Sequence, residues 1–313
     1  MDPQEFDYII IGAGAAGLSA GQYGARAGLR TIILDTSTGG GQALQIAELE
    51  NYPGVYPPVN GADFAVNMIK QTKAFGVEIL QVNVISVDKI KRNFFVKTSK
   101  GIFSSLALLI ATGATHNTLG IPGENELVGR GVSYCATCDG PFFKDKKIIV
   151  AGGGDSACTE AAYLSTISSD VTLVHRRAKL GAQKAVADKV VKTGIAIRYN
   201  TNILEIRGKD RVESVLLEDT QSGEKTELPT DAVFIFIGIS PCTEIVSTLP
   251  ADKNGYLITN ESMETIVPGL YAAGDVRAKP FRQLITAASD GATAAHEAAK
   301  YIYDLKTSEK GSI

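Results

Sequence analysis

Two short glycine-rich turns, each set between an apolar run and a helix-forming stretch, constrain this chain more than any other feature. The first is Gly12-Ala13-Gly14-Ala15-Ala16-Gly17. It is preceded by Asp7-Tyr8-Ile9-Ile10-Ile11 and followed, after an Ala-rich stretch to Ala27, by Thr31-Ile32-Ile33-Leu34-Asp35. The second is Gly152-Gly153-Gly154-Asp155-Ser156-Ala157, between Lys147-Ile148-Ile149-Val150-Ala151 and a helical stretch to about Ser165, closed by Asp170-Val171-Thr172-Leu173-Val174. Each reads as strand, turn, helix, strand: one βαβ unit. Asp35 stands 23 positions beyond Gly12, and His175 stands 23 positions beyond Gly152, so the two copies share one spacing. In such a turn the first glycine permits the bend and the second lets a pyrophosphate reach the backbone. The third, where alanine also serves, lets helix and strand pack closely. The phosphates then lie at the positive end of the helix.

The two closing strands end differently. Asp35, an acceptor when ionised, suits the hydroxyls of an unphosphorylated ribose, as in FAD or NAD. His175-Arg176-Arg177 instead offers two guanidinium groups to a 2′-phosphate, as in NADPH; a solvated charge pair is the alternative.

A length of 313 residues gives room for two domains, and 44% hydrophobic with 21% charged residues describes an ordinary globular chain. Net charge is -3, which argues against nucleic acid as a partner. No window reaches the roughly 18 apolar residues of a membrane helix, and the N-terminus lacks the basic start of a signal peptide. The expected compartment is therefore the cytoplasm. Two more apolar runs end in glycine, at Gly113 and Gly238, each placed to close a nucleotide-binding sheet, and a third reads as a buried strand leading into a glycine turn at Gly274. The expected fold is α/β, with two Rossmann-like three-layer nucleotide-binding domains, the second inserted into the first. Residues 1–116 and 245–313 form one domain and residues 117–244 the other. A long helix is expected from Gln283 to Ile302, with Asp290-Gly291 as a soft point.

Four cysteines are too few for a disulfide scaffold, and Cys135-Ala136-Thr137-Cys138 is a C-x-x-C. In a reducing compartment that spacing points to redox chemistry or to a metal. A zinc site needs two further ligands, and the remaining Cys158 and Cys242 are isolated, so no metal is expected. Thiol exchange needs one sulfur to attack and one to resolve. Asp139 follows directly, either to move a proton at one sulfur or only to make an Asp-Gly turn. Cys158 reads as a buried small hydrophobe, Cys242 has no assigned role, and His296 reads as a surface residue.

These motifs together resemble bacterial low-molecular-weight thioredoxin reductase. The likeness is carried by Gly131-Val132-Ser133-Tyr134-Cys135-Ala136-Thr137-Cys138-Asp139-Gly140-Pro141-Phe142-Phe143, the Gly152 to Ala157 loop and His175-Arg176-Arg177. Gly274-Asp275-Val276 with Arg282-Gln283, and Gly40-Gly41-Gln42 with Asn51-Tyr52-Pro53-Gly54, extend it over nearly the whole chain.

The resemblance implies FAD held by Gly12, Gly14, Ala15, Gly17, Asp35, Gly41, Gln42, Asn51, Gly113, Gly274, Asp275, Arg282 and Gln283. It implies NADPH held by Gly152, Gly154, Asp155, Ser156, Ala157, His175, Arg176 and Arg177. Cys138 would be the sulfur nearest the flavin, Cys135 the one that attacks thioredoxin, and Asp139 the acid/base, in a homodimer. One departure stands out: the family pattern H-R-R-x-x-x-R has Gly181 at its last position here, with Lys179 nearby. This predicts a relaxed preference for NADPH over NADH. Rival readings are a flavoprotein reductase fed by ferredoxin, one serving a different dithiol partner, and a non-catalytic flavin-binding redox sensor. Arg176-Arg177 speaks against the first, and a dedicated peroxidase reductase is expected to carry an extra N-terminal dithiol domain, which is not expected from the seven residues before the first strand.

Overall fold

The computed structural model describes residues 3–46, 49 and 51–310. The chain divides into two compact units, one of Met1–Leu44, Tyr52–Thr115 and Ser240–Ile313, the other of Gln45–Asn51 and His116–Ile239.

Each unit is built on a five-stranded parallel sheet, because its central strands are apolar at consecutive positions and so must be covered on both faces. In the first unit the strand order is Leu270–Ala272, Ala107–Ile110, Tyr8–Ile11, Thr31–Asp35, Glu78–Gln81. Ile9 lies level with Leu108 on one side and Ile32 on the other. Alternate residues of the first strand then face opposite layers. Tyr8 and Ile10 pack with Leu18, Ala294 and Ile302 under the helices. Ile9 and Ile11 pack with Phe94, Val96 and Phe103 of a four-stranded, mainly antiparallel sheet.

The second unit repeats this plan. Its order is Val132–Ser133, Ala232–Phe236, Ile148–Gly152, Val171–Val174, Ala196–Arg198. Ile148 and Val150 face the helix layer, while Ile149 and Ala151 face a three-stranded antiparallel sheet. In both sheets the glycine-turn strand is third, and a short edge strand is first. The edge strand Leu270–Ala272 leads into Gly274–Val276, and its counterpart Val132–Ser133 leads into the C-x-x-C turn. The cysteine pair thus holds, in the second unit, the topological place that Gly274-Asp275 holds in the first.

One expectation is corrected. The C-terminal helix runs unbroken from Leu284 to Lys310, through Asp290 and Gly291. A Cβ at Gly291 would lie 2.0 Å from the Ala16 carbonyl oxygen, so the glycine is where this helix meets helix Ala15–Arg26 backbone to backbone. Asp290, only 8% exposed, is an anchor rather than a weak point.

Candidate functional site

The two glycine turns have one construction. Gly12 has φ +109°, and a Cβ there would sit 2.2 Å from the carbonyl oxygen of Ala111, just beyond the neighbouring strand. Gly152, at φ +149°, would meet the Phe236 carbonyl oxygen at 2.4 Å in the same way. The third positions explain their small residues: a Cβ at Gly17 would lie 1.8 Å from the Gly12 oxygen, and Ala157 is fully buried. The middle glycines behave oppositely. Gly14 and Gly154 are extended N-caps with open space where a Cβ would stand, and no side chain caps the first turn of either helix. Unfilled space over unpartnered helical N–H groups is what a dinucleotide phosphate needs, so both turns fit that group.

Around the first turn the structure brings together most of the residues expected there. Ala15 is the first helical residue. Asp35 Oδ2 accepts the Ala13 N–H at 2.6 Å, while Oδ1 accepts the Ser37 N–H and hydroxyl, each at 2.7 Å. The Ala13 carbonyl in turn accepts the Gly40 N–H, and a Cβ on Gly41 would stand 3.0 Å from Gly14 Cα. Gln42 donates through Nε2 to the Ala114 carbonyl, and the Gly113 carbonyl accepts the Cys242 N–H. Asn51 falls in the segment 45–51 that groups with the second unit.

Gly274-Asp275 belongs to a buried ionic cluster that the sequence did not reveal. Asp290 Oδ2 accepts the Gly274 N–H at 3.1 Å and pairs with Lys279 Nζ at 3.1 Å and Arg277 Nη1 at 3.5 Å. Lys279, with its side chain 5% exposed, also lies 3.4 Å from Asp275 Oδ1, too oblique for a hydrogen bond. Arg282 lays its guanidinium 3.9 Å from the Tyr256 ring centre and keeps Nε buried without a partner. The backbone N–H of Gln283 donates to Thr286 Oγ1 at 3.1 Å. The cluster carries more positive than negative groups, an excess suited to an anionic cofactor. The only sequence signal was a charged residue inside an Ala-rich helix.

In the second unit, Asp155 turns to Gln183, accepting its backbone N–H at 2.7 Å and its amide at 3.0 Å, and Ser156 is exposed beside it. His175 packs inward. Its Nε2 donates to the Lys179 carbonyl at 2.9 Å, and a Cβ on Gly153 would strike the ring at 2.1 Å. It braces the glycine loop, while Arg176 and Arg177 are exposed. Gly181 N–H donates to the Gly153 carbonyl at 2.7 Å, and a Cβ there would meet only that oxygen, at 3.7 Å.

Cys135 and Cys138 are joined in a disulfide, their Cα atoms 5.3 Å apart, across the single turn Ala136–Asp139. Ser133 Oγ donates to Asp139 Oδ2 at 2.6 Å and accepts the Cys135 N–H at 3.1 Å. Asp139 Oδ1 is buried without a hydrogen-bond partner, and burial pushes this carboxyl above its usual range against the opposing pull of Ser133. Tyr134 donates to the buried Glu124 at 2.8 Å, and its ring stacks on His116. Glu124 also accepts the Leu119 and Gly120 N–H groups, tying down the backbone before the cysteines.

Of the other cysteines, Cys158 is fully buried, and the partly buried Cys242 has its thiol pushed up by burial. His296 is exposed. Among the described residues no group of three or more His, Cys, Asp or Glu is arranged to hold a metal, and no helix is long and apolar enough to cross a membrane.

Comparison with known proteins gives a consistent result. Residues 6–298 match the family described as pyridine nucleotide-disulphide oxidoreductase. A thioredoxin reductase of Treponema pallidum is 51% identical over 96% of this chain and 99% of its own. One from Listeria innocua is 43% identical over 96% and 95%. The crystal structure of thioredoxin reductase from Streptococcus pyogenes, 38% identical, superposes with a TM-score of 0.92 over 97% of this chain and 100% of that one.

Proposed function

Because the chain belongs to the pyridine nucleotide-disulphide oxidoreductase family, we propose that it is a thioredoxin-disulfide reductase that takes electrons from NADPH. The observation that carries this reading is the Cys135–Cys138 disulfide, set at the end of the edge strand of a unit that has its own dinucleotide turn. The full-length relatives named thioredoxin reductase support it.

FAD would lie along Gly12, Gly14, Ala15 and Gly17, with Asp35 at its ribose and the Asp275, Arg282 and Gln283 region beside it. When bound, it supplies two-electron chemistry between the nicotinamide and the disulfide. NADPH would lie along Gly152, Gly154 and Ala157, its 2′-phosphate met by Arg176 and Arg177, with His175 bracing the loop beneath. Asp155, held by Gln183, fixes the far side of that loop and so shapes the site indirectly.

The chain's own part in turnover is thiol exchange. Reduced Cys135 attacks one sulfur of oxidised thioredoxin, forming a Cys135–thioredoxin disulfide and releasing the other thioredoxin sulfur as a thiol once it gains a proton. Cys138 then attacks Cys135, re-forming the 135–138 bond and releasing the second thioredoxin thiol. Two electrons and two protons leave the cysteine pair, and Asp139 moves a proton at that site. We take the enzyme to be a homodimer, as the resemblance implies, working in the cytoplasm, and light scattering tests the oligomeric state.

The test of the activity is consumption of NADPH by the purified FAD-loaded protein with oxidised thioredoxin, followed by thiol titration of the product. Turnover with stoichiometric thiol production supports the reading. Binding of both cofactors without turnover on any thioredoxin would leave a redox sensor.

A further inference from the structure

We propose that Ser133 is a positioning residue for thiol exchange, its one hydroxyl fixing both the aim and the charge of Asp139 and the backbone that carries Cys135. This rests on the reductase reading above.

Ser133 ends the buried edge strand and pairs in register with Phe234, so its backbone is fixed by the sheet. Its hydroxyl proton can serve one acceptor. Asp139 Oδ2 at 2.6 Å wins over the Cys135 carbonyl at 3.4 Å, because a short bond to a carboxylate is the stronger. The same oxygen accepts the Cys135 N–H. One side chain therefore links the acid to the attacking cysteine's backbone.

Asp139 is held by one oxygen only. The other is buried and unpartnered, so it is the one open to give or take a proton. Burial favours the neutral acid and the Ser133 hydrogen bond favours the carboxylate. The titratable groups on the adjoining elements are Tyr134, turned to Glu124, and Asp155, Cys158, Glu160 and Tyr163 of helix Asp155–Leu164, with Asp155 held by Gln183. Ser133 thus opposes desolvation through its hydrogen bond to Oδ2. In the exchange, protonated Asp139 gives its proton to the departing thioredoxin thiolate and recovers one from the enzyme's thiols. Removing the hydroxyl leaves the acid holding its proton too firmly to recycle it.

The test is the pH dependence of kcat/KM for oxidised thioredoxin, measured on FAD-loaded wild type, Ser133→Ala, Ser133→Thr and Asp139→Asn. The limb that Asp139→Asn abolishes should move up by about one to two pH units in Ser133→Ala, the effect of losing a hydrogen bond to a charged group. It should return to the wild-type position in Ser133→Thr. If Ser133→Ala does not fold, Ser133→Gly takes its place. An unmoved limb in the hydroxyl-free variant, or a limb that survives Asp139→Asn, overturns the proposal. Infrared titration of the Asp139 carboxyl in chemically reduced protein gives the same reading without turnover. If wild type reduced no thioredoxin, the functional reading would fail while the infrared shift still decided the role of Ser133.

Discussion

Asp290, from the second turn of the C-terminal helix, accepts the backbone N–H of Gly274 at 3.1 Å and so ties that helix to the turn that follows the edge strand of the first unit. The same oxygen neutralises Lys279, whose side chain is almost wholly buried. Removing Asp290 leaves Lys279 only its longer approach to Asp275, and breaking a buried pair costs up to about 3–5 kcal/mol. Asp290→Ala should lower the urea midpoint by an amount equivalent to that range. Adding Lys279→Met should recover part of the loss, as a double-mutant cycle would show. Equal losses in the single and double variants would contradict the pairing.

The neighbouring glycine gives a prediction of opposite intuition. Gly291→Ala improves helix propensity by about 1 kcal/mol. Its Cβ would also stand 2.0 Å from the backbone oxygen of Ala16, and backbone cannot step aside as a flexible side chain does. Overpacking of this kind costs about 1–3 kcal/mol or more, so the variant should melt below wild type. A melting temperature at or above wild type would show that the helices do not meet here.

This contact also shows what the sequence could and could not disclose. The glycine turns were legible because their residue types answer to local backbone geometry: a bend, a close approach and a helix start lie within six positions. The cysteine pair was legible for the same reason. Gly291 looked like a soft point because its partner, Ala16, is 275 positions away, and only tertiary packing turns a flexible residue into a contact. Asp290 and Lys279 were invisible for that reason too. His175 stood in the right motif, but the sequence could not say that its ring turns inward beneath Gly153 while the arginines after it stay out. Ser133 lies six residues before Asp139, and its hydroxyl is one among many until the turn brings the two together.

Gly181 offers room that the chain does not use. A Cβ there would meet only the Gly153 oxygen at 3.7 Å, so a side chain can start from this position without displacing the loop. Gly181→Arg should raise the preference for NADPH over NADH, read as the ratio of kcat/KM values, by about tenfold, the equivalent of ~1.4 kcal/mol. No change in the ratio would place the 2′-phosphate elsewhere.

The ionisation of Asp139 should weaken the fold. Burial raises its pKa in the folded state, so below the ordinary carboxylate value both states hold the proton and stability is complete. As pH rises through the raised value the folded state must also give up the proton, and that stability is lost. Asp139→Asn keeps an acceptor for Ser133 and removes the ionisation. Its advantage in urea midpoint over wild type, measured with the disulfide intact, should therefore be larger at neutral pH than at mildly acidic pH. A pH-independent difference would contradict this assignment.

The central claim is that electrons leave through the cysteine pair after the flavin has received them. Stopped-flow mixing of FAD-loaded Cys138→Ser with NADPH, followed by oxidised thioredoxin, tests it most directly. Flavin bleaching at a rate close to wild type, with at most one thioredoxin thiol released per enzyme as Cys135 forms a dead-end mixed disulfide and no turnover, is the predicted result. Thioredoxin reduction by Cys138→Ser at the wild-type rate would contradict it.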